Sequence, residues 1–266
     1  MNIYGRVGWR TAAVAPSVDD AQAFILAAGI TDPTQQSAIT TLVSQLKTYG
    51  IWGKMKAIYP FVGGSASSHK FNLKDPRDLD AAFRLTFFGG WTHSSTGAKP
   101  NGTTGYANTL FQPSISSTLN SHGIGYYATE NTTNLGDPIQ MGANNSGTQS
   151  LILASKNTTM FGAADGTNIS GAISGGAGLF SVHRTSSTVT TIYKNAALIN
   201  SGNSGGSLPI AMIYIGNISV NYIPYSSGYV NSEFRLSYIS DGLTDAEAAN
   251  FYTAVQAYQT TLGRAV

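Results

Sequence analysis

The chain has 266 residues, no cysteine and 11% charged residues, and 15 Lys and Arg against 13 Asp and Glu give a formal charge of +2. The absence of cysteine excludes disulfides, thiolate metal sites and cysteine nucleophiles, and the weak charge without a Lys/Arg run argues against a nucleic-acid surface. Since about 25% of residues in a soluble domain are charged, the surface must consist mainly of Ser, Thr, Asn, Gln and Gly. Such surfaces are typical of extracellular, fibre-like and glycan-facing proteins.

The sequence shows no targeting or membrane-spanning pattern. Residues 1–10 lack a basic start followed by an apolar run, and no stretch approaches about 18 consecutive apolar residues. We therefore expect no signal peptide, no transmembrane segment and no membrane insertion. A location outside a cell would then require another route, such as release with a virus particle.

Residues 1–80 are predicted to form a helical and extended attachment segment. The Ser17–Asp20 pattern predicts a capped helix over 21–28, and Asp32 followed by Pro33 predicts a second helix that Gly50 ends. The second helix has one apolar face at helical spacing, formed by Ile39, Leu42, Val43, Leu46 and Tyr49. We expect this face to pack on the protein's own β domain, with docking to a neighbouring subunit as the alternative.

From about residue 81 the hydrophobic period changes from helical to alternating, which predicts a β domain over 81–266. The predicted strands are 84–87, 124–129, 151–154, 179–184, 189–193, 211–215 and 234–239. Many short strands separated by Gly, Asn and Ser turns indicate a mainly β fold, an antiparallel jelly-roll sandwich.

The C-terminal residues predict a strand followed by a helix that packs on the sheet. Phe234, Leu236 and Tyr238 share one face of the strand, and Thr244 with Glu247 forms a capping box. The helix that follows has one apolar stripe, formed by Ala248, Phe251, Tyr252, Val255, Tyr258 and Leu262.

Two families resemble parts of this sequence. The 234–247 segment resembles the closing strand and helix of concanavalin A-like, laminin-G-like jelly rolls, and the hairpin at Tyr193-Lys194-Asn195 is similar, although Ala196 replaces the usual Gly. The stretches 55–64, 70–80, 90–93 and 252–264 resemble tail- and capsid-fibre proteins of bacteriophages. The resemblance implies a lectin-like structural protein of the virion surface, on head or tail, attached to other virion proteins. It identifies no set of binding residues.

The expected function is adhesion to host-surface carbohydrate by a homo-oligomer, with a trimer favoured. Loop aromatics would stack on the C–H face of a sugar while polar groups bond its hydroxyls. The candidates are Trp91, His93, Tyr106, Tyr126, Tyr127, Tyr222, Tyr225 and Tyr229. Core packing is the alternative for each ring. A purely structural decoration or fibre subunit without a ligand is the rival function.

Catalysis is not expected, although two enzyme classes deserve comparison. The 202–206 segment resembles the nucleophile motif of chymotrypsin-like proteases around Ser204, with His69 or His93 and Asp137 or Asp165 as partners. A flexible Ser/Gly loop explains the segment better. A glycoside hydrolase needs two placed carboxylates, and the available ones are Glu130, Glu233, Glu247 and the Asp78/Asp80 pair. Their contexts indicate capping and turns instead.

No cofactor is expected, and calcium is the one metal that the sequence leaves open. Calcium takes six to eight oxygen ligands, and the weak candidates are Asp137, Asn144 and Asp165, with Asn145 and Asn168 in similar loops. Their spacing is not diagnostic, because Asn and Asp in loops usually shape turns. The four histidines lack the spacing of a zinc site.

Overall fold

A computed structural model describes residues 19–130, 137–146, 149–203 and 205–266. In these ranges the α-helices are α1 Asp20–Ala27, α2 Pro33–Thr48, α3 Ala66–His69, α4 Pro113–Ser116 and α5 Asp245–Thr261, and short 3-10 turns span Trp52–Lys54 and Asp80–Ala82. Helix α2 begins as predicted, since the Asp32 carboxylate accepts from the Gln35 amide at 2.8 Å with Pro33 in the first turn. Ser17, the predicted cap of α1, lies outside the described residues.

The strands are β1 Met55–Tyr59, β2 Thr86–Phe88, β3 Trp91–Ser94, β4 Gly97–Pro100, β5 Tyr106–Asn108, β6 His122–Ala128, β7 Met141–Ser146, β8 Gln149–Lys156, β9 Thr159–Ala164, β10 Asn168–Ala172, β11 Gly178–Arg184, β12 Val189–Lys194, β13 Ala197–Asn203, β14 Tyr214–Ile215, β15 Ile218–Val220, β16 Ile223–Pro224 and β17 Phe234–Ser240. The first sheet has the order β13-β12-β11-β6-β17-β4-β3, with β1 beside β17. The second has the order β10-β9-β8-β7-β14-β5-β2, with the β15–β16 hairpin beside β7. The predicted mainly β antiparallel sandwich is therefore confirmed.

Several strands differ from their predicted ranges. Strands β6, β11, β12 and β17 match the prediction closely, and Asn195 turns the β12–β13 hairpin with a φ of 56°. The strand predicted over 84–87 begins only at Thr86, and 211–215 is reduced to β14. The predictions missed several Gly-, Asn- or Ser-containing strands, among them β7 and β10, because their residues have low strand propensity.

Two hydrophobic cores hold three layers together. One core lies between the sheets and contains Tyr126, Phe180 and Ile192. The other lies between the outer face of the first sheet and helices α1, α2 and α5, and there Tyr238 meets Phe251 at 4.3 Å between ring centroids. The first sheet is consequently buried on both faces. Helix α5 packs both on this sheet and against α2, so the predicted position of the C-terminal helix is also confirmed.

The described part of the N-terminal segment shares its core with the sandwich. Strand β1 pairs antiparallel with β17, where Ala57 lies opposite Ile239 and Tyr59 opposite Ser237. The apolar face of α2 contacts α5, as expected for packing on the protein's own β domain. An attachment role for residues 1–80 stays a prediction. Within the ranges given above, no helix has both the length and the apolar character to cross a membrane.

Candidate functional site

The outer face of the second sheet, at its β8–β10 end, is open to solvent. Residues alternate along β8, where Leu151 and Leu153 point into the core between the sheets and Ile152 and Lys156 point outward. In β9 the same alternation turns Phe161 outward. The corresponding face of the first sheet is covered by helices, so this end of the second sheet is the broad strand surface available to a ligand.

A groove lies on this open surface. It encloses about 430 Å³ between the β8–β10 strands and the segment that precedes β7. Its lining residues are Asp137, Pro138, Ile139, Ile152, Ala154, Lys156, Phe161 and Asn168. We call this set the open-face groove. Its volume falls within the range of about 300–1,000 Å³ that is usual for small-ligand sites, and its apolar floor with a few polar groups is typical of them.

Phe161 forms an exposed aromatic platform in the open-face groove. Its side chain is 42% exposed, whereas Phe180 and Phe234 are fully buried. The neighbours directly across the strands are small: Ala154 on β8 and Ser170 on β10. Because both neighbouring side chains are too small to cover the ring, the ring projects from the sheet into solvent. A flat apolar surface of this kind can stack on the C–H face of a sugar ring.

Polar groups stand at the edge of the same groove. Asp137 is exposed, and the backbone fixes its position because its N–H donates to the Ser227 carbonyl at 3.2 Å. Two residues later the N–H of Ile139 donates to the Gly228 carbonyl at 3.0 Å. Asn168 on β10 exposes a side-chain amide. The groove thus offers an aromatic ring together with hydrogen-bond donors and acceptors.

Two of the predicted glycan-binding residues belong to the core. Tyr126 is fully buried, stacks on Phe180 with 5.1 Å between ring centroids, and donates to the Ser155 hydroxyl at 2.8 Å. Tyr127 is equally buried and faces the helices on the other side of the first sheet. The prediction of a ligand contact is wrong for these two tyrosines, because both faces of β6 are covered.

Trp91 and His93 are partly buried in an aromatic cluster. Trp91 packs on Phe87 at 5.2 Å between centroids, and its Nε1 donates to the Tyr106 carbonyl at 3.2 Å. His93 lies against the edge of Phe87, and its Nδ1 is 3.0 Å from the Nδ1 of His69. Trp91 Nε1 and His93 Nδ1 are therefore engaged within the protein, and a role for these residues in ligand binding stays a prediction.

The remaining candidates lie at the β2–β5 end, on the β15–β16 hairpin and in the segment after it, whose Ser227 and Gly228 carbonyls accept from the groove residues Asp137 and Ile139. Tyr106 stacks between Phe88 and Tyr214, at 4.9 Å and 4.8 Å between centroids. Burial raises the pKa of Tyr106, and the nearby hydroxyls of Tyr214 and Tyr229 add to the shift. Of the other candidates, Tyr222 at the hairpin turn is 48% exposed and Tyr225 is 37% exposed. We call this second set, with Phe88, the tyrosine surface.

The three metal candidates do not form a site in the described structure. Asp165 is buried in an ion pair with Arg184, and the Nε2 of His122 lies 3.2 Å from its Oδ2. The guanidinium beside Asp165 would repel a cation, so the calcium assignment is wrong for this residue. Asn144 lies in β7, and Asp137 is at the groove edge. In the described ranges, no three His, Cys, Asp or Glu side chains cluster.

The enzyme candidates are engaged in other interactions. Ser204 lies outside the described residues, and the Nδ1 of His69 faces His93 rather than a carboxylate. Arg84 bridges Asp78 and Asp80 at 2.8 and 2.9 Å, and hydrogen bonds from Lys70 and Arg84 lower the pKa of Asp78. A glycosidase acid needs the opposite shift. The three glutamates pair with cations: Glu130 with Lys99, Glu233 with Arg235 and Glu247 with Lys54.

Comparison with known proteins identifies the fold but no family. No protein-family model matches the sequence, and no curated protein matches it. A structure of botulinum neurotoxin type C, described by its dependence on two ganglioside molecules for cell entry, has a TM-score of 0.56 at 12% identity over 79% of this chain and 53% of that chain. The binding domain of botulinum neurotoxin DC, in complex with rat synaptotagmin II, has a TM-score of 0.54 at 11% identity over 77% and 53%.

A mutant of Trypanosoma rangeli sialidase that displays trans-sialidase activity is also similar, with a TM-score of 0.53 at 12% identity over 84% of this chain and 39% of that chain. The chain thus spans between two fifths and about half of the length of these structures. The likeness shows that the domain shares the fold of these structures, a sandwich of two antiparallel sheets.

Proposed function

We propose that this protein binds host-surface glycans through the open-face groove. The observation that carries the proposal is the exposed Phe161 ring, which lies between small neighbours beside Asp137 and Asn168 in one groove. A sugar that stacks on the ring brings its equatorial hydroxyls towards these polar side chains. Apolar stacking and hydroxyl bonding are the two contacts that a carbohydrate site must supply together.

The structural comparison supports a carbohydrate ligand at the level of the fold. The botulinum neurotoxin type C structure has the same type of sandwich, and its description names gangliosides as the molecules on which cell entry depends. A shared fold does not transfer a ligand, so the proposal rests on the groove itself. The tyrosine surface is the alternative location for the same function, because it also exposes aromatic rings.

The proposed setting is the surface of a phage virion, on head or tail, where the protein assists host attachment without catalysis. This setting rests on the stretches that resemble phage fibre proteins, among them 55–64 and 70–80. A decoration subunit without a ligand is the second candidate, favoured by the low charge of the chain. Labelling the protein on intact particles for electron microscopy tests the setting, and particles without label would contradict it.

Replacing Phe161 by Ala is expected to weaken glycan binding by on the order of tenfold, since an aromatic contact contributes about 0.5–1.5 kcal/mol beyond its buried area. The measurement is a glycan array followed by titration of the strongest hit. Phe88→Ala is the matched control, because Phe88 has the same 42% exposure on the same sheet but lies at the tyrosine surface. If Phe88→Ala weakens binding and Phe161→Ala does not, the site lies at the tyrosine surface. Release of reducing ends from the bound glycan would refute the non-catalytic role.

We also propose a homotrimer, as the resemblance to fibre proteins and the weakly charged surface suggest. Light scattering of the purified protein at micromolar concentration should give a mass near three times 27.9 kDa. A monomer under these conditions, also in the presence of the neighbouring virion proteins, would contradict the trimer.

A further inference from the structure

Asp137 differs from every other carboxylate in the described parts of the chain. The protein has 13 Asp and Glu residues, all within the described ranges, and all but Asp137 have a side-chain hydrogen bond or ion pair. Even exposed acids follow this rule, since Asp78 pairs with Lys70 and Asp80 with Arg84. Among the described residues, only the carboxylate of the open-face groove is left without a partner.

Main-chain hydrogen bonds hold the backbone that carries this carboxylate. The N–H groups of Asp137 and Ile139 bond to the carbonyls of Ser227 and Gly228, and Pro138 between them is buried. The side chain of Asp137 stays exposed at the end of this anchored segment. A fixed backbone with a free carboxylate is the arrangement expected of a recognition group, because binding then costs little ordering of the chain.

Among the described residues, no cation of the groove forms an ion pair with Asp137. Lys156 lines the same groove, yet no ion pair joins the two, and Lys156 takes part in an interaction of its own. Asn168 is uncharged. Of the described residues that line the groove, Asp137 is therefore the one carboxylate, and it meets a ligand without a cation paired to it.

We infer that Asp137 makes the open-face groove selective for neutral saccharides. The inference rests on the proposed glycan binding and adds the class of sugar. Ring hydroxyls of a sugar stacked on Phe161 donate to the Asp137 carboxylate, and such charge-assisted bonds are stronger than bonds to a neutral acceptor. A sugar whose carboxylate or sulfate lies at the same position meets the unpaired like charge of Asp137, which opposes its binding.

The test compares pairs of oligosaccharides that differ only in charge: each neutral chain and the same chain with a terminal sialic acid or a sulfate. The wild-type protein should bind the neutral member at least tenfold more tightly. Asp137→Asn should weaken binding of the neutral member several-fold and reduce the preference to less than threefold. Asp80→Asn, which changes an exposed acid far along the chain, should keep the wild-type preference. Asp137→Asn should melt like the wild type because Asp137 has no internal partner among the described residues, and Asp80→Asn nearly so because its ion pair with Arg84 is exposed to solvent.

Equal or tighter binding of the acidic members by the wild-type protein would overturn this inference, as would an unchanged preference in Asp137→Asn. Either result leaves the proposed function standing if Phe161→Ala still weakens binding. Failure of every saccharide to bind would overturn the proposed function, and this inference with it.

Discussion

Deletion of residues 244–266 is expected to leave a chain that is insoluble or unfolded. Helix α5 buries Phe251, Val255 and Tyr258 against the first sheet and α2, and the Tyr258 hydroxyl donates to the Pro60 carbonyl at 2.9 Å. Each such side chain contributes about 1.5–3 kcal/mol on burial, whereas a whole domain is stable by only about 5–15 kcal/mol. Loss of the helix would also expose the outer face of the first sheet.

The residues after α5 add a polar anchor that the deletion removes as well. The buried Arg264 guanidinium donates to the carbonyls of Phe61 and Thr96 at 2.9 and 3.2 Å, and its Nε donates to Gln259 at 3.0 Å. These bonds tie the C-terminus to the chain after β1 and to the turn between β3 and β4. The deletion would leave those carbonyls without their donor.

Point variants measure how much single side chains of α5 contribute to the free energy of unfolding. Phe251→Ala should lower the free energy of unfolding by about 3–5 kcal/mol in urea titrations, because a large cavity opens beside Tyr238. Thr260→Ala, on the exposed face of the same helix, should change it by less than about 0.5 kcal/mol. A truncated protein that stays soluble and melts like the full-length chain would refute the structural role of α5.

Acidification from pH 6.5 towards 3 is expected to destabilise the protein strongly. Burial lowers the pKa of His183 to about 3 and that of His69 to about 3, against an ordinary value of 6.5. Below pH 6.5 the unfolded chain binds these protons while the folded protein does not. The stabilisation is therefore complete above pH 6.5 and is lost as the pH falls to about 3, by several kcal/mol for each histidine.

The surroundings of the two histidines explain why the folded protein resists protonation. His183 Nε2 lies 3.1 Å from the Tyr238 hydroxyl, and the nearby His122 and Lys54 disfavour a positive charge, an effect that Glu247 opposes. His69 lies beside His93 and near the guanidinium of Arg264. In both places a second positive charge would enter a buried environment.

Urea unfolding at a series of pH values measures this effect. His69→Gln removes one of the two groups, so its stability should fall less steeply below pH 6.5 than that of the wild type. The comparison uses the slope with pH, which a uniform loss of stability at neutral pH does not change. Equal slopes for variant and wild type would show that His69 titrates normally in the folded protein.

Local sequence patterns determine how much of this structure is predictable. The Thr244–Glu247 capping box and the alternation in β17 are local patterns, and the structure confirms both predictions. The prediction of a glycan contact fails for Tyr126 and Tyr127. Alternation normally leaves one face of a strand open to solvent, whereas here helices from both ends of the sequence cover the outer face of β6. Because these helices are distant from β6 in the sequence, no short stretch of sequence can predict that they cover it.

The open-face groove could not be predicted from local sequence patterns either. From the sequence, Asp137 is a candidate oxygen donor for a metal and a candidate partner of Ser204, but not a glycan contact. Phe161 is missed because β9, with Gly162 and two alanines, lacks a strand pattern. Without the strand, the sequence cannot show that Phe161 points outward between Ala154 and Ser170. Phe161 and Asp137 come together only in the folded second sheet, so the sequence alone does not show that they line one groove.

The most direct measurement is a backbone-amide NMR titration of the isotope-labelled protein with the strongest neutral glycan from the array. Glycan binding in the open-face groove should shift the amides of Asp137, Ile139, Ile152–Lys156, Phe161 and Asn168, and leave those of Phe88 and Tyr106 unchanged. Shifts confined to the tyrosine surface, or none at saturating glycan, would contradict the assignment of the groove as the binding site.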